Sequence, residues 1–157
     1  MMIKSKDKYS FAILAAVIAN IPINILDYIF YALDINQYHM WHIAASSYFK
    51  TQDTGTIPAL ITGAITDYST ASIIGIAIIY LLYFTGTEYF WLKGLSIGAG
   101  SWLFAFGFIL RKHVSRIDPV DPGTNLYHIA EHYLLGFLIA WIITKYGSEL
   151  LINDSTE

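Results

Sequence analysis

Residues 57–84 read IPALITGAITDYSTASIIGIAIIYLLYF, a long apolar stretch in which Asp67 is the single charged side chain. A helix needs about 20 largely apolar residues to cross the hydrocarbon core of a bilayer. Backbone N–H and C=O groups find no water there, so such a stretch must bond internally as a helix. The stretch therefore predicts a transmembrane helix that carries one carboxylate.

Three further stretches have the same character, at 9–33, 89–110 and 126–144. Together with 57–84 they predict an all-α integral membrane protein, a four-helix transmembrane bundle in which residues 1–157 form one domain. The composition agrees, with 55% hydrophobic and 13% charged residues and a mean hydropathy of +0.50. The connection at 34–56 is long enough for a short interfacial helix, and Pro119, Pro122 and Gly123 predict a break before the last span.

Several classes of function are excluded by composition. The chain has no cysteine, which rules out disulfides, thiolate metal ligands and iron–sulfur clusters. Its net charge is −3, and no run of lysine or arginine indicates nucleic-acid binding. Function is therefore expected in or at the bilayer.

The N-terminal segment has two interpretations. A basic start followed by FAILAAVIA resembles a signal peptide with a cleavage point after Ala19. The apolar run nevertheless continues to Leu33, which favours an uncleaved first span with a kink at Pro22.

Orientation follows from the lysines that precede the first span, Lys4, Lys6 and Lys8. Basic residues at this position favour the cytoplasm, and four spans return the C-terminus to the same side. The layout, with His132 followed by Gly136 in the last span, is similar to that of small bacterial inner-membrane proteins. We therefore expect a multi-pass plasma-membrane protein with both termini in the cytoplasm.

Ionisable side chains converge on the opposite pole of the predicted bundle. The connection at 34–56 and the loop before the last span lie on one side, and Asp27 and Asp67 lean towards it. On the first span Asn20, Asn24 and Asp27 share one helix face. The histidines also belong to this pole, and they are His39, His42, His113, His128 and His132.

The sequence H-I-A-E-H at 128–132 matches the H-x-x-E-H pattern of inverted zincins. His128 and His132 would bind Zn²⁺ or another divalent metal, with Glu131 orienting or deprotonating a bound water. The third ligand would be Asp27, Asp67 or His113. Haem is less suited, because bis-imidazole ligation needs histidines at matching depth on facing helices.

Three functional classes remain open on the sequence alone. The leading expectation is an accessory or structural membrane subunit or a binding protein without enzymatic activity, in which the polar groups satisfy one another. The alternatives are a metal-dependent membrane hydrolase that uses the 128–132 pattern and a small oligomeric proton- or ion-coupled transporter. Gly94 and Gly98 form a G-x-x-x-G pair that would serve either internal packing or a homo-oligomer.

Overall fold

A computed structural model of the chain describes residues 7–110 and 122–151, apart from the side chains of residues 109 and 110. All regular structure in these two ranges is helical, which confirms the predicted all-α class. The α-helices are α1 (Lys8–Ala32), α2 (Met40–Ala45), α3 (Ile57–Thr85), α4 (Phe90–Trp102) and α5 (Pro122–Tyr146). A π-helix (Leu103–Leu110) continues α4, and 3₁₀ turns occupy Thr51–Asp53 and Ser148–Leu150.

Capping hydrogen bonds, a proline and a glycine account for where the helices begin and end. Asp7 caps α1, since its carboxylate accepts a hydrogen bond from the backbone N–H of Tyr9 at 2.9 Å. Pro58 occupies the first turn of α3, where no intrahelical donor is required. The helix ends at Gly86, whose φ of +80° suits a residue without a Cβ. Lys93 donates to the carbonyls of Thr85 and Gly86 and so satisfies the open end of α3.

Three of the four predicted spans form helices long and apolar enough to cross a membrane, namely α1, α3 and α5. The third predicted span differs, because its α-helical part ends at Trp102 and the rest is π-helical. α5 begins at Pro122, earlier than the predicted start at 126, and proline suits that first helical position. A short helix, α2, occupies the 34–56 connection.

Small residues let the helices approach closely. A Cβ at Gly75 of α3 would lie 2.6 Å from the carbonyl oxygen of Ala12 on α1. A Cβ at Gly98 of α4 would overlap the carbonyl oxygen of His132 on α5, and Gly94 faces Gly136 in the same way. The Gly94 and Gly98 pair is therefore used for packing within the chain, and an intermolecular contact through it would require α5 to move away.

The interior combines an apolar core with a group of buried polar residues, and the exterior carries many large apolar side chains. Small and branched apolar residues of α1, α3 and α5 form the core, among them Ala12, Ala16, Ile78 and Ile139. Many large apolar side chains are exposed, including Ile73 (67%) and Phe84 (76%). Asn20, Asp27, His128 and Glu131 are buried inside. An exposed apolar surface of this extent is compatible with contact to lipid or to another protein.

Candidate metal centre

Asp27, one helical turn before the end of α1, is 1% exposed and lies at the centre of a hydrogen-bonded group. Its Oδ2 accepts a bond from Nδ1 of His39 and another, of 2.7 Å, from the backbone N–H of Met40. Nδ2 of Asn36 lies 3.3 Å from its Oδ1. Three donors from the α1–α2 connection therefore fix the orientation of this carboxylate.

The α1–α2 connection is itself held by packing. The backbone carbonyl of Trp41 sits against Gly63 of α3, where a Cβ would overlap it. The backbone N–H of Gln37 donates to the hydroxyl of Thr124 on α5 at 3.1 Å. His39 stacks on the Trp41 ring at a centroid distance of 5.0 Å. These contacts to α3 and α5 bring His39 and Asn36 to Asp27.

His128 and Glu131 face Asp27 from α5. Because the two residues are three apart, they share a helix face, and Nδ1 of His128 lies 2.8 Å from Oε2 of Glu131. His128 is fully buried and Glu131 is 3% exposed. Nε2 of His128 and Oε1 of Glu131 are both buried and make no hydrogen bond of standard geometry, although the Tyr127 hydroxyl interacts with the Glu131 carboxylate. Such orphaned groups are costly in an apolar interior and call for a ligand, an ion or water.

Asp27, His128 and Glu131 together form a group with the dimensions of a metal site. Each offers one nitrogen or oxygen atom, and these three atoms lie within 4.8 Å of one another. The bond from His128 to a carboxylate, and those from His39 and Met40 to Asp27, are the kind of contacts that orient metal ligands.

His132 lies beside this group and not within it. Its Nδ1 is 2.9 Å from the carbonyl oxygen of His128, one turn back along α5. Phe106 of the π-helix covers both histidines, stacking on His128 at 5.8 Å and meeting His132 edge-on at 5.9 Å. π-helical turns frequently occur at functional sites, and here one delivers an apolar cover.

Asp67 lies across a small cavity from Glu131 and His132. Its Oδ2 accepts bonds from Nδ2 of Asn20 at 2.7 Å and from Nδ2 of Asn24 at 2.9 Å. The cavity encloses about 30 Å³, room for about two water molecules. Asp67 thus shares the polar interior with the metal-site group but belongs to a separate carboxylate–amide cluster.

The candidate residues predicted from the sequence therefore do not all lie in one group. Asp27, His128 and Glu131 meet, His132 and Asp67 border the adjacent cavity, and His113 lies outside the described residues. The sequence did not indicate His39 or Asn36 as site residues, although it placed His39 on the same pole as Asp27. A helix-face pattern cannot reveal them, because they lie in an irregular connection.

His42 is a half-buried histidine of α2 that lies outside the group. Burial, and then the neighbouring His39, hold the pKa of His42 below its ordinary value of 6.5. Its ring packs against Tyr31 at a centroid distance of 5.2 Å. It therefore provides a histidine control for substitutions at the metal-site group.

Comparison of the chain with protein-family models, with curated protein sequences and with solved structures found no match. Function is therefore inferred from the geometry of these side chains.

Proposed function

We propose that this chain is a polytopic membrane protein in which α1, α3, α4 with its π-helical extension, and α5 cross the bilayer as a four-helix bundle. Three long apolar helices support this, as do the exposed Ile73, Phe84 and Phe104 side chains and the polar interior. An ionisable side chain facing lipid costs a few kcal/mol even on lenient insertion scales, about 2.5–3.5. Burial of Asp27, His128 and Glu131 between the helices avoids this cost.

We place both termini on the cytoplasmic side of a plasma membrane. Lys8 at the start of α1 lies over the ring of Tyr83, near the end of α3. Lys93 binds the last carbonyls of α3, and Lys145 lies in the last turn of α5. Three described lysines thus gather at the pole opposite Asp27, and the positive-inside tendency favours the cytoplasm for that pole.

Within this bundle, the function that the geometry supports best is binding of a divalent transition-metal ion by Asp27, His128 and Glu131. One observation carries the proposal. Nε2 of His128 and Oε1 of Glu131 are buried beside a second carboxylate and make no hydrogen bond of standard geometry. Two carboxylates in a low-dielectric interior are stabilised by positive charge, and a divalent cation would supply more of it than the imidazoles beside them.

The donor set indicates the class of metal. One imidazole nitrogen with carboxylate oxygens suits Zn²⁺, Fe²⁺ or Mn²⁺ better than Ca²⁺ or Mg²⁺, which prefer oxygen ligands alone. The H-x-x-E-H pattern predicts that Glu131 acts as a general base. Glu131 could not fill that role while it binds the metal as a ligand. The arrangement therefore favours a metal-binding membrane protein over a hydrolase.

A titration of chelator-treated protein in detergent tests this proposal. Co²⁺, whose absorption reports coordination by nitrogen and oxygen, is added to the wild-type chain, to His128→Phe and to His42→Ala. We expect saturable binding near one ion per chain in wild type and His42→Ala, and its loss in His128→Phe. Equal binding by wild type and His128→Phe would contradict the proposal.

A further inference from the structure

The cavity beside the metal-site group is surrounded by side chains that accept hydrogen bonds. It lies between α1, α3 and α5 and is also lined by Met40 of α2. Its polar lining comes from Asn20, Asn24, Asp27, Asp67, Thr70, Glu131 and His132, and neither lysine nor arginine lines it.

Asp67 presents its carboxylate to this cavity with one oxygen already occupied. The amide nitrogens of Asn20 and Asn24 both donate to Oδ2. An amide nitrogen can only donate a hydrogen bond, so the Asp67 carboxylate is the acceptor in both contacts. Both of these hydrogen bonds are accepted by Oδ2, and Oδ1 takes part in neither.

Asn24 supplies a second acceptor without a donor. This residue is 9% exposed, its Nδ2 donates to Asp67 and also lies 3.1 Å from the carbonyl oxygen of Asn20, and its Oδ1 is buried without a partner. The amide of Asn24 is thus held in place by its nitrogen while its oxygen remains available to a ligand.

His132 adds a third acceptor. A backbone carbonyl can only accept, so Nδ1 of His132 carries the hydrogen that it shares with His128. In the neutral ring Nε2 then keeps its lone pair. The cavity is therefore lined by acceptors from three helices, while the lining amide nitrogens of Asn20 and Asn24 already donate to Asp67.

We propose that this cavity binds a small monovalent inorganic cation, with Asp67 and Asn24 as its principal oxygen ligands. Hard cations take carboxylate and amide oxygens. A cavity of about 30 Å³ fits such an ion with little water and excludes an organic cation. The preference for a singly charged ion rests on the proposed divalent site. Asp27 and Glu131 would balance the charge of the divalent ion. Asp67 is then the one carboxylate left to balance a second cation, and a single positive charge is enough for that.

Thermal unfolding of the detergent-solubilised chain at constant ionic strength tests this inference. Choline chloride is replaced stepwise by the chloride of Na⁺, K⁺ or ammonium. A ligand that binds only the folded state raises the midpoint in a saturable way. We expect such a rise with at least one of the inorganic ions, its loss in Asp67→Asn, and its retention in Asp53→Asn, a matched substitution outside the cavity.

Two further variants separate this site from its neighbour. Asn24→Ala should weaken the apparent affinity at least several-fold while the Asp67 carboxylate remains, and it carries the test if Asp67→Asn does not fold. His128→Phe, which removes a ligand of the divalent site, should keep the response. An inorganic ion that acts no differently from choline, or a response unchanged in Asp67→Asn or Asn24→Ala, would overturn the proposal and leave only water in the cavity.

Discussion

Nδ1 of His128 lies 2.8 Å from Oε2 of Glu131, and this contact leaves Nε2 of the first residue and Oε1 of the second buried without a hydrogen bond of standard geometry. Both residues face Asp27, which is fixed by donors from the α1–α2 connection. A polar group that was purely structural would be expected to pair its atoms with one another. The unpaired atoms are the reason to expect a ligand here.

Substitution of Asp27 tests how far the group supports the fold. In Asp27→Asn the amide oxygen can still accept from His39 and Met40, but the negative charge that strengthens these hydrogen bonds is removed. A hydrogen bond to a charged group contributes about 1.5–3 kcal/mol, more than a bond between neutral groups. We expect a clearly lower midpoint of thermal unfolding in detergent, with Asp53→Asn unchanged. Similar midpoints for wild type and Asp27→Asn would show that the described contacts contribute little.

The close approach of α4 and α5 predicts an asymmetry between two glycines. Gly98→Ala forces a methyl group into the carbonyl of His132, and overpacking of this kind costs about 1–3 kcal/mol. Gly100→Ala meets open space two residues away and serves as the matched control. We expect unfolding midpoints to fall for Gly98→Ala alone. An equal effect of both substitutions would argue against this helix pairing.

His42 predicts a component of the pH dependence of stability. Its folded-state pKa lies below the ordinary value of 6.5, so the unfolded chain binds its proton more readily. Stability from this residue is therefore present above pH 6.5 and is lost as the pH falls through 6.5 towards the folded pKa. We expect wild type to lose more stability than His42→Gln between pH 7.5 and 5.5, as measured by thermal unfolding. Parallel pH profiles would contradict this expectation.

The proposed orientation predicts opposite accessibility for the two poles. Because the chain has no native cysteine, single cysteines are unambiguous reporters. In intact cells a membrane-impermeant maleimide should label Gln52→Cys, in the α2–α3 connection, and should spare Ser148→Cys, which follows α5. Labelling of Ser148→Cys alone would place the termini outside.

The sequence predicted the helices well and the site only in part, for a physical reason. Hydropathy locates residues 57–84 as a helix because lipid selects apolar side chains over a fixed length. It also placed Asp27, Asp67 and His128 near one pole. Which of them meet depends on how each helix is rotated about its axis, and that rotation is set by close contacts such as Gly98 against His132. Small-residue patterns alone do not specify the partner helix.

Two features of the structure could not be predicted from helix-periodic patterns in the sequence. The bond between His39 and Asp27 depends on how the α1–α2 connection folds back over the helices, and that connection has no periodic pattern. The π-helix after Trp102 is equally hidden, because its residues are as apolar as those of an ordinary span. Both features nevertheless shape the candidate site, one by fixing Asp27 and the other by placing Phe106 over His128.

The most direct test of the central claim is the metal content of the protein as purified. Elemental mass spectrometry should be applied to wild type, His128→Phe and His42→Ala, each isolated in the same detergent without chelator. We predict a divalent transition metal near one ion per chain in wild type and His42→Ala, and its absence from folded His128→Phe. Metal-free wild type that also takes up none when Zn²⁺, Mn²⁺ or Fe²⁺ is supplied would contradict the account and leave Asp27, His128 and Glu131 as a structural polar network.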